Sequence, residues 1–359
     1  MSDLFAASSF QSLLRELRRE PFPDEVEAWP AERFAAMAQA DVMKWNLPAE
    51  WGGIGLIDAE MLEGLRLLSS ACLVTTFILT QRNAACQRIV TSSNDAAKHR
   101  YLPDLCAGKT FATVGISHLT TSRQHVKTPP VQVTPVDSGF VLNGIVPWAT
   151  SATRAQMLVT GGQLTDGRQI LAAIPVDRAG VEVQPPVRLM ALNASQTGAV
   201  LLNDVRISQD EVLHGPVTGV MKQGAGGGAG SLGTSALAIG AACGTLRQLA
   251  EESVRRPDLT EFVDPLQDEC DHLTADLQLA ATGQHPDGEA AAESLRRQAN
   301  SLALRSAQSW LAATKGAGYV AGHPAEQAVR ESMFFLVWSC PQPVLTANLR
   351  ELACASAGH

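Results

Sequence analysis

A chain of 359 residues is longer than one hydrophobic core normally serves, so two or three packed domains are expected. Apolar residues make up 45% and charged residues 18%, which excludes a disordered chain. The net charge is −8 and no Lys/Arg block exceeds the pairs Arg18-Arg19, Arg255-Arg256 and Arg296-Arg297, which excludes strong attraction to a phosphate backbone.

The opening Met-Ser-Asp-Leu-Phe has no basic segment leading into an apolar one, so no secretory signal is read and a cytoplasmic protein is expected. From Ser9 to about Gly108 the pattern is helical. Phe10, Leu13, Leu14 and Leu17 form one apolar stripe at helix spacing, and Met61, Leu62, Leu65, Leu67 and Leu68 begin another. Pro48, Gly52, Gly53 and Gly55 interrupt this run with a fixed turn. The apolar stretches from Leu65 to Thr80 and from Ser231 to Leu246 are too short or too weakly apolar to span a bilayer, and buried helices account for both.

From about Thr110 to Leu213 short runs of Val, Ile, Leu and Phe replace the helical period. Strands are expected at residues 111–116, 131–136, 140–148, 156–160, 169–175, 181–183 and 199–207, with Asp-Ser-Gly, Asp-Gly and Pro-Pro turns between them. So many closely spaced strands predict a small β-barrel or sandwich. Gln223 to Gly230 is glycine-rich, but it follows no buried strand and lacks the lysine and hydroxyl of a nucleotide loop, so a flexible connection into a helix is the better account. After His214 the helical period returns. Leu266, Cys270, Leu273, Leu277 and Ala280 mark one helix, and Leu295, Leu302, Ser306, Trp310 and Ala313 another, which predicts an antiparallel bundle. The seven cysteines are odd in number and widely spaced, so reduced, buried thiols are expected in place of a disulfide framework or a metal site.

Three domains follow: a helical one over residues 1–109, a small β-domain over 110–213 and a four-helix bundle over 214–359. In this order of parts, and in several motifs, the chain resembles the acyl-CoA dehydrogenase family along nearly its whole length. The motifs are Leu47-Pro-Ala-Glu-Trp-Gly-Gly-Ile-Gly-Leu56, Arg100-Tyr-Leu-Pro103 with Ala107-Gly108, Phe140-Val-Leu-Asn-Gly144 with Trp148-Ala-Thr150, Leu192-Asn-Ala-Ser-Gln-Thr-Gly198, and Leu202-Asn-Asp-Val-Arg-Ile207. The resemblance implies an FAD held between the β-domain and the bundle. Trp148 would pack on the flavin ring and Thr150 would hydrogen-bond to it, an indole against a flat ring and a hydroxyl at its polar edge. Ser117 and Ser122 stand where the family contacts the flavin. Arg256 and Gln267 match residues that reach the FAD of a neighbouring subunit, which implies a homodimer or homotetramer. A guanidinium suits a diphosphate.

The same resemblance exposes losses. The family's base, a glutamate that removes the substrate α-proton, reads Ser339 here, and its alternative location reads Thr234; neither side chain is a carboxylate. Ser235 replaces an arginine that binds the CoA thioester, Ala312 a glutamine that reaches FAD, and Ser339-Cys340-Pro341 the family's Glu-Gly-Thr. The resemblance implies an FAD oxidoreductase acting on an acyl thioester, with an electron acceptor or reductase flavoprotein as partner. A monooxygenase of the same fold is the alternative, since reduced flavin reacting with oxygen needs no α-proton base; His118 is its candidate acid or base, against a plain structural histidine. A non-catalytic protein that keeps the fold for assembly or ligand holding is the third reading. Neither nucleic acid nor a membrane is an expected partner, and no metal is expected.

Overall fold

The computed structural model describes residues 3–120, 129–224 and 232–354. The first third is helical: α1 (Asp3–Ala6), α2 (Ser8–Arg18), α3 (Ala31–Gln39), α4 (Asp58–Ser69), α5 (Leu73–Val90) and α6 (Asp95–Cys106). The predicted stripe of α2 is its inner face, since Phe10, Leu13, Leu14 and Leu17 are all buried. Phe10 and Phe5 pack their rings 5.5 and 5.8 Å from that of Trp45, which is fully buried. Truncating a core residue such as Leu14 to alanine would cost about 2–5 kcal/mol. The turn before α4 folds tightly against itself: a Cβ on Gly53 would stand 1.9 Å from the Leu47 carbonyl oxygen, so only glycine fits.

The strands are β1 (Ala112–Gly115), β2 (Val131–Val136), β3 (Gly139–Ala149), β4 (Met157–Gln163), β5 (Gln169–Pro175), β6 (Val181–Val183), β7 (Gly198–Ser208) and β8 (Val212–Val217). They form one sheet in the order β6-β7-β3-β2-β4-β5-β8, with β1 pairing parallel to β4. Alternation along β4 and β5 separates two cores. Met157, Val159, Leu171 and Ala173 face α5 and α6, where they meet Cys86, Ile89 and Leu102. Leu158, Ile170, Ala172 and Ile174 face inward to Val133, Leu142 and Val205. Burial on both faces is why these strands read as continuous apolar runs. Strand β8 was not expected from the sequence, because Gly215-Pro216 breaks the run that would have announced it.

The last third comprises α7 (Leu232–Arg255), α8 (Thr260–Ala281), α9 (Ala291–Gly318), α10 (Pro324–Ser332) and α11 (Gln342–Leu352). Helix α7 is central and packs on α4, α8 and α9. Its small residues permit that approach: a Cβ on Gly240 would lie 2.3 Å from the Arg66 carbonyl oxygen. The expectation of reduced thiols throughout is corrected here, since Cys243 of α7 and Cys270 of α8 form a disulfide. Their separation of 27 residues carries no pairing signal; only the packing of α7 on α8 brings their Cα atoms to 6.5 Å. Among the described residues no helix is long and apolar enough to cross a membrane.

Candidate functional site

One end of the β-sheet gathers three of the predicted residues. Strand β1 leaves the sheet at Gly115 into a short turn at Ser117–Leu119, and this turn lies against β3. The Thr113 hydroxyl donates to the Thr150 carbonyl at 2.6 Å, which ties β1 to the exit of β3. Trp148, at that exit, keeps its large ring 46% exposed, while Thr150 two residues on is buried. An exposed indole beside a buried hydroxyl is the arrangement that a flat, polar-edged ring would complete.

Hydroxyl groups hold this edge in place. Thr150 Oγ1 lies 3.0 Å from Thr197 Oγ1, which lies 2.8 Å from Ser195 Oγ. Ser151 Oγ donates to the Ser195 carbonyl at 2.9 Å. Ser151, Leu192 and Gln196 all have positive φ, at 58°, 61° and 48°, so both facing segments turn sharply and the side-chain bonds secure them. Neither Thr197 nor Ser195 was singled out from the sequence, although both lie inside the Leu192–Gly198 motif. A signal existed in that motif, but one strand does not show which hydroxyl meets which.

Ser117 Oγ is buried and has no hydrogen-bond partner among the described residues. A buried, unused hydroxyl is costly, by about 1–3 kcal/mol, unless a ligand completes it. His118 is buried with Nε2 2.9 Å from the Gly161 carbonyl oxygen, which pins the turn to β4. Ser122 lies outside the described residues.

The bundle presents a different picture. Ser339 follows the turn Met333–Leu336 and adopts φ 46°. Its neighbour Trp338 stacks on Phe334 at 5.0 Å and meets Phe77 of α5 edge-on at 5.2 Å. Arg296 of α9, fully buried, donates from Nη2 to the carbonyls of Trp338 at 2.8 Å and Phe335 at 3.2 Å. Burial pushes its guanidinium down to about 10. Arg296 thus anchors the segment carrying Ser339, a role for which the sequence offered no signal. Thr234 and Ser235 are buried in the first turn of α7, and Ser235 Oγ has no partner among the described residues.

Arg256 and Gln267 do not join the β-edge within the chain. Arg256 Nη1 donates to the Ala313 carbonyl at 2.6 Å, and Gln267 Nε2 to Asp271 Oδ1 at 2.9 Å. Ala312 is exposed near the kink at Lys315 of α9.

The fold, a helical domain, a β-domain and a helical bundle in that order, is that of the acyl-CoA dehydrogenases. Residues 5–109 match the family model for the acyl-CoA dehydrogenase N-terminal domain. The family match thus covers the helical first third, and the rest of the chain shares the acyl-CoA dehydrogenase fold. It is 25% identical over 228 residues to the acryloyl-CoA reductase (NADH) of Anaerotignum propionicum, covering 58% of this chain and 57% of that one. It is 28% identical over 178 residues to the dibenzothiophene monooxygenase of Rhodococcus erythropolis, covering 47% and 42%. The chain therefore spans about half the length of these curated relatives. The butyryl-CoA dehydrogenase of Megasphaera elsdenii superposes with a TM-score of 0.79 at 16% identity, over 98% of this chain and 99% of that one.

Proposed function

We propose that the chain is an FAD-dependent oxidoreductase acting on an acyl thioester or a related substrate. The observation that carries this reading is the β-edge, where Trp148, Thr150 and the Ser117 hydroxyl, which has no partner among the described residues, share one end of the sheet. These residues fit the flavin ring: Trp148 offers a face, Thr150 and Ser117 offer hydroxyls, and the Thr197–Ser195 network fixes Thr150. The flavin, when bound, supplies hydride and electron transfer. The protein's part is to orient the ring and exclude water from it. Arg256 would have to exchange its bond to Ala313 for a diphosphate of a neighbouring subunit, so a homo-oligomer belongs to this reading.

The loss of a carboxylate at both base positions supports a second reading, a flavin monooxygenase. Proton abstraction by a glutamate is then not required, and one relative is named for monooxygenase activity. The two readings separate in one assay. The flavin-loaded protein is mixed anaerobically with a panel of acyl-CoA and acyl-carrier substrates. Bleaching of the flavin near 450 nm (about that wavelength for any oxidised flavin) supports the dehydrogenase reading. No bleaching, together with substrate-dependent oxygen uptake once a reductase is supplied, supports the monooxygenase. Neither response, in a protein that retains flavin, contradicts both.

A further inference from the structure

A cleft of about 280 Å³ opens between the end of α2, the α4–α5 junction, and helices α7, α9 and α10. Its lining carries four arginines, Arg18, Arg19, Arg33 and Arg247, against two glutamates, Glu20 and Glu331. Among the described residues, Arg18, Arg33 and Arg247 form no ion pair with a carboxylate. Instead, two of them converge on one residue: Arg18 Nη2 donates to Ser70 Oγ at 3.3 Å and Arg247 Nη2 to the Ser70 carbonyl at 3.1 Å. Arg33 reaches over from the other side, donating to Cys72 Sγ at 2.9 Å with its guanidinium 4.7 Å from the Phe22 ring centroid. Arg18 and Arg247 repel one another in this partly desolvated cleft, and although Glu251 offsets Arg247 and Glu331 faces Arg33, an entering anion would relieve the repulsion further.

The backbone reinforces this. Helix α5, 18 residues long, begins at the cleft, where Cys72, Leu73 and Val74 line the wall. Its N-cap Cys72 makes no side-chain capping bond, and its first turn holds no acidic residue, so the positive end of the helix faces the cleft uncompensated. One part of the wall is apolar, formed by Leu73, Val74, Ala303 and Trp310, beside the polar Thr245, Gln248, Gln327 and Ser332. A guanidinium fork beside an apolar wall recognises a carboxylate with a short hydrocarbon body better than a bare inorganic anion.

We propose that this cleft binds a small organic carboxylate, its head held by Arg18, Arg247 and the start of α5 and its body against Leu73 and Trp310. The residues that line the cleft do not include Ser117, Trp148, Thr150, Ser195 or Thr197 of the β-edge. Phe77, one turn further along α5, packs edge-on against Trp338 beside Ser339.

The test is calorimetric titration and thermal shift of the full chain, read without flavin so that a failure of the flavin reading leaves it intact. Butyrate, glutarate, butyramide and inorganic phosphate are the probes. The expected result is saturable binding of butyrate or glutarate, no binding of butyramide, and weaker binding of phosphate. Arg18→Gln, at a largely exposed position that folding tolerates, and Arg247→Gln each weaken carboxylate binding about tenfold, whereas Arg168→Gln on the β4–β5 turn leaves it unchanged. Failure of both carboxylates to bind, equal binding of butyrate and butyramide, phosphate binding as tightly as the better carboxylate, or undiminished binding in a folded Arg18→Gln variant would each overturn the proposal.

Discussion

The β-edge and the Ser339 segment are the two regions that the family resemblance ties to chemistry, and they differ in what they keep. At the β-edge the side chains suited to a flat ring are present, and the hydroxyl network that secures the two sharp turns also supports them. At the Ser339 segment the backbone is held as firmly, by Arg296 and by the Phe77–Phe334–Trp338 cluster, but no proton-accepting side chain sits on it. On the proposed reading, cofactor holding and proton abstraction are separable properties of this fold. The first would depend on several groups spread over β1, β3 and the 192–197 turn; the second would rest on a single carboxylate, which is absent at both Ser339 and Thr234.

Ser339→Glu sharpens the contrast most. In the flavin-loaded protein it is expected to raise α-deuterium exchange of a bound acyl-CoA by about a hundredfold over the parent, the low end of general-base effects, without altering flavin affinity. Mass spectrometry of the thioester after incubation in D₂O measures this. If exchange does not rise while flavin stays bound, the segment does not face the substrate. Arg296→Ala attacks the backbone of the same segment. It deletes two buried hydrogen bonds and leaves a cavity, so chemical denaturation should show a loss of about 3 kcal/mol, and a near-neutral result would mean that the anchoring is unimportant.

Ser117→Ala has opposite signs in two states. Without flavin it removes an unused buried hydroxyl, so the melting temperature should hold or rise; with FAD the affinity should fall about fivefold. A destabilised flavin-free variant would show that Ser117 already has a structural partner. The smallest effect concerns Glu331, whose carboxyl burial pushes up to about 7. A carboxyl that holds its proton more tightly folded than unfolded makes stability fall as pH rises from the ordinary glutamate range to about 7, and level off above it. Glu331→Gln should flatten that slope and melt several degrees above the parent at pH 8 (roughly the size a buried carboxylate's desolvation implies). Melting curves across pH 4 to 8 (a range of about four units chosen to bracket both protonation states) decide it.

Much of the fold was legible because it is written in local periodicity. The α2 stripe, the strands of the middle region and the two long helices α8 and α9 each announce themselves by spacing. Strand β8 was hidden by its Gly-Pro, and the Cys243–Cys270 bond by the absence of any spacing rule for partners on neighbouring helices. At the proposed site, motifs single out Trp148, Thr150 and Ser117, which lie together at one end of the sheet. Thr197, Ser195 and Arg296 were not, since their roles arise from segments 40 or more residues apart meeting in space. The cleft at the start of α5 was invisible for the same reason: its arginines come from α2, α7 and the start of α3, and no single stretch of sequence carries them together.

The central claim is that the β-edge holds a flavin ring, and a visible absorbance spectrum tests it most directly. The purified protein and its Trp148→Ala variant would each be incubated with FAD and freed of excess. A flavin spectrum near one equivalent per chain in the parent, with affinity about tenfold or more weaker in the variant, is the predicted result. A parent that retains no flavin, or a variant that retains it as tightly, would contradict the account.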